Sequence, residues 1–150
     1  MPREKLKLTP APEGAGYLLD EQAGFLMRVA MQRHTSIFTS RMIENLTQTQ
    51  FAALAKLFEV GGCSQNYLGR LIYLDAATIK GVVDRLTVRG FVTALSDPND
   101  RRRRAVALTE RGREVTEADM KVAAEITTAT LAPLSADEQR ILTRLLKKLS

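Results

Sequence analysis

The sequence predicts a mainly α fold in which three short helices and one β-hairpin stand between longer helices at either end, and three observations lead there. Apolar residues recur at helical spacing through most of the chain, and capping residues and glycines cut the middle of it into short segments. Two runs of β-formers, Phe91-Val92-Thr93-Ala94-Leu95 and Ala105-Val106-Ala107-Leu108, flank a polar turn around Asp97, Pro98, Asn99 and Asp100. The first long helix is apolar around more of its girth than one stripe requires, so more than one surface must cover it. Together these give a winged helix-turn-helix with a two-stranded β wing, set between an N-terminal dimerisation helix and further C-terminal helices.

Each element has a local reason. Residues 1–16 hold Pro2, Pro10, Pro12, Gly14 and Gly16 and read as a loose arm. From 17 to about 44, Leu18, Leu19, Phe25, Leu26, Val29, Ile37, Phe38 and Met42 describe one long helix, and 17–46 is assigned to dimerisation. Thr47 with Gln50 is a capping-box pair that opens a second helix, which Gly61-Gly62 stops. Ser64 caps a third helix and Asp75 a fourth, in which Ile79, Val82, Val83 and Leu86 share one face and Gly90 follows the end. Thr109 starts a fifth helix that breaks at Pro133, and Ser135 with Glu138 opens a sixth. The middle region so delimited is 47–112, followed by the C-terminal helices of 113–150.

The charge is regional. Between 65 and 113 there are ten Lys or Arg and five Asp or Glu, which is the whole net charge of +5. A basic surface on a balanced scaffold suits a polyanion. In the fourth helix the apolar side leaves Ala77, Thr78, Lys80, Gly81, Asp84 and Arg85 outside. Small residues let a backbone approach the major groove, and Thr78, Lys80 and Arg85 can donate to bases or phosphates. An ordinary amphipathic surface helix would show the same periodicity. Arg101, Arg102, Arg103 and Arg104 decide between them, because four arginines gathered at one hairpin repel each other unless an anion such as a narrow minor groove receives them. Asp100 is expected to pair with a nearby arginine and hold the wing.

The run Gln65-Asn66-Tyr67-Leu68-Gly69-Arg70-Leu71, continuing through 75–86 and Arg89-Gly90-Phe91-Val92, resembles the MarR family of winged-helix regulators. Ser96-Asp97-Pro98-Asn99-Asp100-Arg101-Arg102 and Val106-Ala107-Leu108-Thr109-Glu110-Arg111-Gly112 are similar to that family's wing and the start of its fifth helix. The resemblance implies a transcriptional repressor that binds double-stranded DNA as a homodimer on an inverted repeat, with half-site centres about one helical turn apart. It makes Asp100 and Arg102 wing residues, with Arg102 the minor-groove probe. It also puts Thr78, Lys80 and Gly81 at positions that face DNA. Gly81 departs from the larger polar residue usual there, so DNA shape must carry part of the specificity.

The resemblance further implies an effector, a small aromatic acid or its coenzyme A thioester, bound between the dimer helices and the reading region. Arg28 and His34 are the expected contacts, since an arginine can clamp a carboxylate and a histidine can meet a carboxylate or phenol. Six residues apart, they are separated by about 600° of helix and do not share a face. Rim charge and satisfied interface histidine are the plainer alternatives. Cys63, alone in the chain, permits no internal disulfide and reads as a small buried residue, with an oxidant-sensing role as the alternative.

Catalysis is not expected. There is one histidine, and no metal-ligand cluster, phosphate loop or nucleophile motif is visible, and the carboxylates fall in helix-start or exposed contexts. No cofactor or metal is expected. With no apolar stretch of about 18 residues and no signal-like start, a cytoplasmic protein without membrane association is expected. A non-specific architectural DNA-binding protein remains the main rival reading.

Overall fold

Capping chemistry sets most of the element boundaries. The computed structural model describes residues 7–14, 16–97 and 99–150, without the side chains of Asp97, Asp100, Arg101, Arg102 and Arg103. Of the arm expected over 1–16, residues 7–14 and 16 are described and carry no helix or strand. A 3-10 turn, Leu19–Glu21, leads into α1 (Ala23–Arg41). The single helix expected from 17 to about 44 is therefore too long at both ends. Gln22 offers no side-chain cap, Met42 turns to extended backbone, and Glu44 and Asn45 take left-handed backbone with φ of 59° and 50°.

Helix α2 (Gln48–Val60) opens with the full capping box: Gln50 N–H donates to Thr47 Oγ1 at 3.2 Å, and Thr47 N–H donates to Gln50 Oε1 at 3.0 Å. Gly61, at φ 81°, ends it. Strand β1 (Cys63–Ser64) passes directly to α3 (Gln65–Leu71), whose Tyr67 N–H donates to Ser64 Oγ. Helix α4 (Ala76–Val88) starts where Thr78 N–H donates to Asp75 Oδ1 at 2.7 Å, and Gly90 follows its end at φ 76°. Strands β2 (Val92–Asp97) and β3 (Asp100–Leu108) form the hairpin, and α5 (Glu110–Leu131) and α6 (Ala136–Leu149) complete the chain. Ser135 and Glu138 form the second capping box.

The sheet has three strands in the order β1-β3-β2, all antiparallel, so the two-stranded wing expected from sequence gains a short partner. Cys63 pairs with Val106 and Ser64 with Ala105. The hairpin is also longer than the β-formers alone suggest. Ser96 pairs with Arg104 and Asp97 with Asp100, which places the four arginines along the first half of β3 rather than on the turn.

One core lies beneath α2, α3, α4 and the hairpin root. Leu54, Leu68, Ile79, Leu86, Phe91 and Val106 are all but inaccessible to solvent. Each such side chain is worth about 1.5–3 kcal/mol in removed apolar surface, so the i, i+3, i+4, i+7 face of α4 is what fixes its roll. The root of the hairpin is locked to α5. Thr109 N–H donates to Phe91 O at 3.1 Å, Thr109 Oγ1 donates to Gly90 O at 2.6 Å, and Gly112 N–H donates to Thr109 Oγ1. The approach is so close that a β-carbon on Gly112 would stand 1.8 Å from Phe91 O. By contrast, no residue of α6 is buried.

Candidate nucleic-acid interface and ligand cavity

Helix α4 turns its apolar face inward and its slim face out. Ile79, Val82, Val83 and Leu86 are buried, whereas Ala77, Thr78, Lys80 and Arg85 are exposed and Gly81 is half-buried. The capping bond from Thr78 N–H holds the Asp75 carboxyl below the usual carboxylate range, so the helix opens on a fixed negative charge beside free outward positions. Gly81 has ordinary helical backbone. A β-carbon there would meet only Arg85 Nη1, at 3.5 Å, so no packing within the chain demands glycine.

Two of the exposed cations share one acid. Lys80 Nζ lies 2.7 Å from Asp84 Oδ2, and Arg104 Nη1 lies 3.7 Å from Asp84 Oδ1. The hydrogen bond from Lys80, with the charges of Lys80 and Arg104, holds Asp84 below its ordinary range. Asp84 thus links α4 to β3. Arg104, the one wing arginine whose side chain is described, is exposed. Asp100, Arg101, Arg102 and Arg103 lie on β3, but the expected pairing of Asp100 and the aim of those three arginines fall outside the described side chains.

Not every carboxylate is at a helix start or exposed. Asp119 of α5 is fully buried, and neither of its carboxylate oxygens has a hydrogen-bond partner. Burial, reinforced by the Glu44 carboxylate and offset in part by Arg89, pushes its pKa up to about 6. Glu44 stands in the α1–α2 connection and Arg89 at the end of α4, and the two form an ion pair at 3.2 Å. Arg89 also lies over the Phe91 ring, 4.7 Å from its centroid. This knot joins α4 to the long helix α5. In sequence Asp119 looks like any polar residue in a surface helix, so nothing marked it.

A cleft opens between α1, the start of α2 and α5. Its wider part, about 470 Å³, is lined by Thr35, Phe38, Thr39, Met42 and 45–49. An adjoining part of about 180 Å³ shares Phe38 and Gln48 and adds His34, Phe51, Ala123, Ile126 and Thr127. His34 Nδ1 lies 2.8 Å from Thr130 Oγ1, and Gln48 Nε2 donates to Thr35 Oγ1 at 3.0 Å. His34 is therefore on a cavity wall. Arg28 is not: it is exposed and lies over the Phe25 ring, 5.4 Å from its centroid. The structure of one chain does not bring Arg28 and His34 together. The threonines and Gln48 were not singled out by sequence, because residues that cap or decorate helices carry no signal of facing a cavity. Cys63, at the edge of the sheet, is half-buried, and burial pushes its thiol up.

Residues 46–103 match the sequence model of the MarR family. Over 147 residues the chain is 39% identical to the HTH-type transcriptional repressor NicR of Pseudomonas putida, an overlap of 95% of this chain and 93% of that one. A probable transcriptional regulator of Pseudomonas aeruginosa superposes with a TM-score of 0.86 at 49% identity, covering 89% of this chain and 100% of the other. BpsR of Bordetella bronchiseptica, whose DNA binding is regulated by 6-hydroxynicotinic acid, superposes with a TM-score of 0.85 at 36% identity over 90% of this chain and 97% of its own.

Proposed function

The chain belongs to the MarR family of transcriptional regulators, and from that premise we propose that it is a sequence-specific repressor, homodimeric on an inverted-repeat operator and released by a small aromatic acid or its coenzyme A thioester. The observation that carries the reading is the outward face of α4, slim, exposed and backed by a basic β3. Ala77 and Gly81 allow close approach, Thr78 and Lys80 reach base edges, and Arg85 meets a phosphate. Asp100, Arg101, Arg102, Arg103 and Arg104 form the wing contact with the minor groove. In this division residues 47–112 read DNA, and 17–46 with 113–150 assemble the dimer behind the arm 1–16.

Dimerisation is supported by what a single chain leaves uncovered. Leu26, Met27, Val29 and Met31 on α1 and Ile141, Leu145, Leu146 and Leu149 on α6 are exposed. Two helices with apolar faces open to water are the usual material of an obligate two-fold interface. The same geometry bears on the effector. The wider cavity lies within the range of about 300–1,000 Å³ usual for small-molecule sites. Among the described residues its lining holds no cation. A carboxylate clamp then has to arrive with the second protomer, and Arg28 sits on the apolar face of α1 that such a protomer covers. His34 supplies the other polar contact from the wall.

BpsR, responsive to a hydroxylated aromatic acid, supports the chemical class of the ligand. A raised thiol pKa at Cys63 weighs against the oxidant-sensing alternative, because the thiolate is the reactive form. No helix among the described residues is long and apolar enough to cross a membrane.

The test is a gel shift with the DNA upstream of the protein's own gene, against unrelated DNA, with and without a panel of aromatic acids and their coenzyme A thioesters. A preference of about 10³-fold or more for the upstream DNA, relieved by one compound, is expected. Arg28→Ala should keep DNA binding and lose release. Equal affinity for unrelated DNA would instead make this a non-specific architectural protein.

A further inference from the structure

The end of α3 is closed by a residue that its own backbone does not favour. Leu74 N–H donates to Gly69 O at 2.9 Å and Tyr73 N–H donates to Arg70 O at 3.3 Å, the paired bonds of a helix end that requires one left-handed residue, most often glycine. The ends of α2 and α4 meet their positive φ with Gly61 and Gly90. Here the residue is Tyr73, at φ 59°. A side chain in that conformation crowds its own carbonyl, and only glycine escapes the strain. Among the described residues no packing compensates, because Tyr73 is 81% exposed. Its hydroxyl has no hydrogen-bond partner among the described residues.

Tyr73 does not stand alone. Tyr67, Arg70 and Tyr73 follow one another at intervals of three along α3 and its cap, and all three are exposed. The Arg70 guanidinium lies over the Tyr67 ring, 5.6 Å from its centroid, and has no ion-pair partner among the described residues. Two residues after Tyr73 comes the Asp75 cap, from which the outward face of α4 begins. An exposed cation stacked on one exposed aromatic ring and one helical turn from a second, within the basic stretch of the chain, is complementary to a polyanion rather than to an ordinary protein surface.

We propose that Tyr67, Arg70 and Tyr73 form a phosphate-backbone clamp beside the groove that α4 enters. Tyr73 donates its hydroxyl to one phosphate, and Arg70, steadied by the Tyr67 ring, neutralises a neighbouring one. The clamp rests on the DNA-binding reading above and extends it to a surface that positions the duplex without reading bases.

Fluorescence anisotropy on two duplexes of equal length tests it, one taken from upstream of the protein's own gene and one a scramble of it. Binding by the wild-type protein establishes the DNA-binding reading, and its failure on both duplexes would remove that reading and the clamp with it. With the wild type bound, Tyr73→Phe should weaken both duplexes about tenfold or more, the loss of one hydrogen bond to a charged group. Tyr73→Gly should weaken both at least as much while raising the thermal unfolding midpoint. Arg70→Ala should weaken both and lower the salt slope by about 1. Tyr73→Gly with wild-type affinity on both duplexes overturns the clamp and points the ring at a protein partner. A loss on the upstream duplex alone also overturns it, because that is base reading.

Discussion

Gly81→Ala separates what the fold needs at the middle of α4 from what its partner needs. The residue has helical backbone, and an added β-carbon would meet only Arg85 Nη1, at an ordinary contact distance of 3.5 Å. The substitution should therefore recover the helix propensity that glycine forfeits, about 0.8–1.0 kcal/mol. For a chain of this size that raises the thermal midpoint by roughly 2–4 °C. DNA binding should move the other way. If α4 enters a groove with Gly81 against its wall, a methyl group holds the helix off and strains the contacts of Thr78 and Lys80 on either side. A loss of about 1 kcal/mol or more, at least about fivefold in Kd, is expected. Thermal melts followed by circular dichroism at several protein concentrations, and anisotropy on the upstream duplex, read the two effects separately. Stabilisation with unchanged Kd would show that DNA does not approach this position. No stabilisation at all would mean that the glycine serves the fold after all.

Two further substitutions test the junction behind the reading helix. Asp119 is fully buried and its pKa is raised to about 6, so between about pH 4 and 6 the native state binds the proton that the unfolded chain releases. Stability should fall as pH rises through that window, by at most about 3 kcal/mol, and level off above it. Asp119→Asn should remove that component and be more stable than the wild type at pH 7, as read by urea denaturation across the range; unchanged pH dependence would show that Asp119 is hydrated and ordinary. Gly112→Ala places a β-carbon 1.8 Å from Phe91 O, so α5 must move off the hairpin root. A loss of about 3 kcal/mol or more is expected, and a near-normal urea midpoint would mean that this contact is not tight.

The parts of the fold legible in sequence are those decided within three or four residues. Thr47, Ser64, Asp75, Thr109 and Ser135 each announce a helix because a hydroxyl or carboxylate accepts a nearby N–H whatever the rest of the chain does. Where a boundary depends on remote packing the signal fails. Leu18 and Leu19 continue the apolar spacing into a segment that is not α-helix. β1 is two residues long and exists only because Val106 and Ala105 are there to pair. Ser96, Asp97 and the arginines extend the hairpin although none favours strands, since register is inherited from the pairs next to them. At the site the same division holds. The outward face of α4 follows from its buried face, whereas the cavity around His34 and the burial of Asp119 depend on how α1 and α5 cross, which no local pattern records.

At three positions the chain forgoes stability. Gly81 sits mid-helix with room for a methyl group, Tyr73 holds left-handed backbone in the open, and Asp119 is buried without a partner. A sequence shaped by stability alone would replace each by alanine, glycine and an apolar residue in turn. Gly81 and Tyr73 both belong to the helix-turn-helix and both look outward, so under the proposed function the interaction that offsets their cost is the one with DNA. Asp119 lies on the inner side, against the Glu44–Arg89 pair that ties the end of α4 to the α1–α2 connection.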